Sequence, residues 1–120
     1  MGRGFLRGSF LALALVGALT VLRVPASADE MADLEAKIQS AKTAADHEAI
    51  AADYDALAKE AHAKAETHRK MEEMYRKAGG PSAKAQLPAH CEGLVKIYTG
   101  AAKEYGAMAK AHREMAKHAK

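Results

Sequence analysis

One stretch of this 120-residue chain is written twice, 44 residues apart, and that duplication limits the fold more than any other feature. The first copy runs from Ala45 to Arg76 and the second from Ala89 to Lys120. Laid over each other they share Glu48/Glu92, Tyr54/Tyr98, Lys59-Glu60/Lys103-Glu104 and His68-Arg69-x-Met71/His112-Arg113-x-Met115. Both copies have helical spacing in the same phase. In the second, Leu94, Tyr98, Ala101, Tyr105, Met108, His112 and Met115 alternate steps of four and three, the a/d seam of packed helices. In the first, Ile50, Tyr54, Leu57, Ala61, Lys64, His68, Met71 and Tyr75 take the same steps, with only Lys64 out of character. Ala51, Ala58 and Ala65 flank one seam and Val95, Ala102 and Ala109 the other, so each apolar stripe is wide enough for more than one neighbour. Gly93, Gly100 and Gly106 each weaken a helix by about 1 kcal/mol relative to alanine, and close approach of a partner is one reason to keep them.

The repeat is preceded by a segment of another kind. Arg3 and Arg7 make a basic start, Leu11–Leu22 is a short apolar run, and Ala26-Ser27-Ala28 is a small-x-small cleavage sequence. Residues 1–28 therefore read as a secretory signal peptide, with cleavage expected between Ala28 and Asp29. The product is an exported, periplasmic or secreted chain with no stable membrane anchor. Removing that segment takes away three arginines and no acid, which leaves 15 basic and 15 acidic residues and a net charge of zero. The basic pI of about 9.0 thus belongs to the leader and gives no argument for nucleic acid. What remains is polarised: Asp29–Glu66 holds ten acids and four bases, whereas Thr67–Lys120 holds five acids and eleven bases. Such asymmetry suits helices that pair across an interface.

From these signals the expected fold is all-α, a long antiparallel helical hairpin over 29–120. The first helix is expected over about 33–77, the turn over about 78–87 and the second helix over about 88–118. Acids at Asp29, Glu30 and Asp33 favour a helix start, and no stop signal stands out before Gly79-Gly80-Pro81. The first helix is then about 65 Å long and overhangs the second. Pro88 suits the opening turn of the second. Two helices alone leave such wide stripes uncovered, so a homodimer closing into a four-helix bundle is expected, or a partner doing the same job.

Centring the turn near residue 83 puts Tyr54 level with His112 and Tyr98 level with His68, which makes each a candidate hydroxyl–imidazole pair. Soft-metal ligation is the competing chemistry, because Cys, His and Met suit copper and zinc. The first set to consider is Cys91, His90, Met71 and Met74 near the turn, and the second is His47, Met115 and His118 at the open end. Haem is left only a noncovalent route, since no CxxCH is present. Cys91 has no second cysteine with which to close an internal disulfide. It is a buried small residue, an intermolecular bridge or a ligand. His62 falls outside the seam. Nucleophile elbow, phosphate loop and HExxH are all missing, so no catalytic residue is assigned.

With the leader, Ala89-His90-Cys91-Glu92 and His112-Arg113-x-Met115 in view, the chain resembles small exported bacterial helical-hairpin proteins that carry no assigned activity. It is more loosely similar to exported helical stress chaperones in size and architecture. The resemblance implies no catalytic residue; the wide apolar stripes and polarised charge lead to the expectation of a non-enzymatic interaction or structural protein that self-associates and acts on an envelope protein or an unfolded client. The alternative is a small periplasmic copper- or zinc-binding protein.

Overall fold

The computed structural model describes residues 28–120; the expected leader lies outside the described residues except for Ala28. Four helices follow in order: α1 (Ala28–Ser40), α2 (Ala44–Ala78), α3 (Gly80–Lys84) and α4 (Leu87–His118). The described residues contain no strand. The two long helices, α2 and α4, pack against each other along the hairpin. Their antiparallel register follows from cross-helix contacts at both ends: Arg76 approaches Glu92 at 3.9 Å near the turn, and Arg113 bonds Asp55 and lies 3.8 Å from Glu48 towards the open end.

The expected single first helix is two helices. The break falls at Ala41–Thr43, where Thr43 adopts an extended conformation (φ −106°, ψ 162°) and caps α2. The Asp46 N–H donates to Thr43 Oγ1 at 3.2 Å. In return, Asp46 Oδ2 accepts from the N–H groups of Thr43 at 2.8 Å and Lys42 at 2.9 Å. This capping box satisfies donors that an uninterrupted helix would have bonded to its own carbonyls. The N–H groups of Lys42 and Thr43, followed by the Thr43 hydroxyl, hold the Asp46 carboxyl below its usual range. With the chain turned at Thr43, α1 folds back along the hairpin instead of overhanging it. Leu34 enters the core with Ile50, Ala51, Tyr54 and Ala109. Lys37 reaches Asp33 at 2.8 Å and Asp53 at 2.9 Å, and both carboxylates hold its ammonium well above its ordinary pKa.

At the other end, Gly79 (φ 58°, ψ −150°) and Gly80 (φ 51°) take backbone conformations that side chains disfavour. The Gly79 N–H donates to the Tyr75 carbonyl, which closes α2, and Pro81 sits in the first turn of α3. Gln86 accepts a left-handed conformation (φ 55°) as the entry to α4. The connector therefore contains a short helix, and α4 begins one residue before Pro88.

The core is shifted from the expected seam towards the alanines beside it. Ile50, Tyr54 and Ala61 of the seam are buried, and so are Ala51, Ala65, Ala102, Ala109 and Ala116 outside it, while seam residues Met71, Met108 and Met115 are 40%, 41% and 49% exposed. Alanine along the line of contact lets two helix axes approach to about 8 Å, the short end of the usual range. The longer side chains are pushed to the flanks. One of those flanks, along Ile50 and Leu57, is the seat of α1. The other carries the ion pairs of Arg113 with Asp55 and Glu48 and of Arg76 with Glu92.

Candidate functional site

Two ring pairs cross the hairpin interface. His68 and Tyr98 stack almost parallel, with centroids 5.5 Å apart and planes 7° from one another. Tyr54 and His112 stack with centroids 5.8 Å apart at 27°. In each, the tyrosine of one sequence copy meets the histidine of the other. The contact is made by ring faces, where a hydroxyl-to-imidazole bond was expected. His68 Nδ1 is buried without a hydrogen-bond partner. Lys64, the odd residue of the first seam, reaches Glu60 at 2.7 Å and holds its ammonium 5.7 Å from the centre of the Tyr98 ring. The ring face attracts the cation, and this explains how a lysine sits in an apolar line.

The open end holds an arrangement the spacing did not point to. His47 is buried, and its Nδ1 lies 3.1 Å from Nδ1 of His112. One imidazole must donate and the other accept, so the contact requires at least one neutral ring. Burial, followed by the charge of His47, pushes the His112 pKa below its ordinary 6.5. Tyr105 extends the cluster by stacking on Tyr54 at 6.2 Å, and burial raises the Tyr54 hydroxyl pKa. Sequence spacing placed His47 outside the tyrosine–histidine pairs. It lies seven residues before Tyr54, on the same seam, and that was the signal available.

The proposed ligand sets are arranged differently from expectation. Cys91 is a buried free thiol, whereas His90 is exposed, Met71 is 40% exposed and Met74 is 67% exposed. His90 and Cys91 are neighbours on a helix, and side chains at adjacent positions point about 100° apart. At the open end His47 turns inwards to His112, while Met115 and His118 are exposed. Among the described residues no group of three His, Cys, Asp or Glu side chains is gathered to hold a metal ion.

The remaining feature is apolar surface. Besides Met71 and Met74, Ile97 is 64% exposed, and Met108 and Met115 lie partly open on α4. A shallow notch between Met31 of α1, Leu57 and Ala61 of α2, and Tyr98, Ala101 and Tyr105 of α4 marks where α1 stops covering the groove. Towards the turn the groove continues without it. Among the described residues no helix is long and apolar enough to cross a membrane. No family model matches the chain, and neither a curated protein nor a solved structure resembles it significantly.

Proposed function

We propose that this chain is an exported, non-enzymatic helical module that works by association, with itself first and through its exposed helical face with an envelope protein or unfolded client. The observation that carries this reading is the unequal covering of the hairpin. The open half buries Leu34 of α1 against Ile50 and Tyr54, whereas the turn half leaves Met71, Met74 and Ile97 open. Met31, Ile38, Met108 and Met115 are also 39–49% exposed, but Met74 and Ile97 of the turn half, at 67% and 64%, are the most open of these apolar side chains, and exposed apolar surface of this kind marks an interaction site. The charge asymmetry of the sequence and its leader-like start support the same reading.

Soft-metal binding is the second reading, and one observation favours it at His47 of the open-end set, with His112 in place of Met115 and His118. Two ligands on one tetrahedral zinc, each at about 2.0–2.1 Å, stand about 3.3 Å apart. His47 Nδ1 and His112 Nδ1 are 3.1 Å apart, with His47 buried and His112 half-buried. Native mass spectrometry of protein purified without chelator separates the two. The association reading expects a metal-free dimer. A monomer carrying a stoichiometric mass of copper or zinc, lost in His112→Ala, overturns it in favour of the metal reading.

A further inference from the structure

The repeat relates two seats on the hairpin, and among the described residues only one of them carries a helix. On the open half, α1 lies along Ile50, Asp53 and Leu57: Leu34 packs with Ile50, Lys37 bonds Asp53, and Met31 borders Leu57. A shift of 44 residues carries those three positions onto Leu94, Ile97 and Ala101 of α4, on the turn half. There Leu94 and Ala101 are half-buried, Ile97 is 64% exposed, and Met71 and Met74 of α2 add 40% and 67% exposed thioether side chains. The second seat keeps apolar residues at the first and third of these positions, has Ile97 where the first has Asp53, and carries no helix among the described residues.

From this geometry we infer that the second seat receives a second copy of the chain, in a two-fold dimer where each acidic α1 lies between its own open half and the bare turn half of its partner. The inference rests on the association reading and specifies the partner and face. Three features carry it. The first is charge. α1 contains Asp29, Glu30, Asp33 and Glu35 against Lys37, a net −3, while residues 67–96 of the turn half contain six bases and three acids, a net +3. The second is length. α1, at 13 residues, is about 20 Å long, and the stretch of α2 from Lys64 to Ala78 beyond it is about 22 Å long, at 1.5 Å per residue. The third is symmetry. A hairpin with a raised helix on one half and a bare seat on the other is self-complementary under a two-fold axis, the condition for a closed dimer instead of an open chain of molecules.

The face of α1 opposite Leu34 carries Asp29, Ala32 and Ala36, by the 100° step of a helix. Small alanines let that face lie close to Met71, Met74 and Ile97. Asp29 and Glu35 are placed to meet Lys70 and Lys77, all four exposed in the single chain.

The test is sedimentation velocity on the whole chain over a concentration series, with four proteins. Asp29→Lys/Glu35→Lys reverses α1. Lys70→Glu/Lys77→Glu reverses the turn half. The third protein combines all four changes, and the fourth is Ile97→Glu, an exposed position whose change leaves the hairpin core intact. Wild type is expected to dimerise. Each double reversal is expected to weaken the dimer at least tenfold, the combined protein to recover most of that loss, and Ile97→Glu to leave a monomer with unchanged helicity. A dimer that ignores Ile97→Glu, or that shows no recovery in the combined protein, overturns this interface while leaving association standing. A wild type that stays monomeric at the highest concentration overturns self-association itself.

Discussion

The residues most distinctive for this chain are the four rings gathered at its open end. His47 and His112 share one proton between facing nitrogens 3.1 Å apart, with Tyr54 and Tyr105 stacked behind. Protonating both imidazoles turns two ring nitrogens that share a hydrogen bond into two opposed donors. His112 has its pKa pushed below 6.5 by burial first and His47 second. In the unfolded chain this histidine binds its proton more readily than in the folded one, so stability falls as pH drops below about 6.5. The charged groups around the pair are Asp46 beside His47 and Arg113 beside His112, the latter tied to Asp55 and Glu48. Asp46 and Asp55 have pKa values lowered, by backbone N–H groups and by Arg113 respectively, so their contribution is lost only below their usual 3.8. Chemical denaturation from pH 7.5 to 5 should therefore show a loss of stability that His112→Phe flattens. An NMR titration should place the His112 midpoint below 6.5. A midpoint at or above 6.5 contradicts the buried pair.

At the scale of elements, the corner between α1 and α2 decides whether the first seat is filled. Thr43 and Asp46 bond each other's backbone, and Thr43→Ala should cost about 1 kcal/mol, the usual loss for a helix cap. Thermal unfolding followed by circular dichroism measures it; an unchanged midpoint contradicts the role given to the cap. The α2–α4 contact depends on small side chains, and Ala109 is fully buried in it. Ala109→Leu should destabilise by about 1–3 kcal/mol through overpacking, whereas Gly106→Ala meets nothing within 4 Å and should gain up to about 1 kcal/mol in helix propensity. The long helices, their direction and the glycine turn were legible, because steps of three and four and Gly79-Gly80-Pro81 are strong local signals. So was the levelling of Tyr54 with His112 and Tyr98 with His68, which needs only a turn position and a rise per residue. The α1–α2 corner was missed although Thr43-x-x-Asp46 has the capping-box spacing, because that signal sits among residues that all tolerate a helix. The displacement of the core towards alanine was hidden for a different reason. Hydrophobicity ranks Met71, Met108 and Met115 above alanine, but close approach of two helices selects for size.

For the whole molecule, the central fact is that among the described residues α1 lies over one half of the hairpin and no helix lies over the other. In the proposed dimer a second copy supplies the helix for that other half. The most direct measurement is zero-length carbodiimide cross-linking of an equal mixture of isotopically light and heavy chains, read by mass spectrometry of the joined peptides. Within one chain, α1 is anchored at Asp53 through Lys37, and Lys70 lies 17 residues further along α2, about 25 Å away. A bond between Glu35 and Lys70 is therefore out of reach inside a monomer. The account predicts peptides joining Asp29 or Glu35 to Lys70 or Lys77 with mixed light–heavy isotope labels. Cross-links confined to single-isotope pairs, such as Lys37 to Asp53, would contradict it.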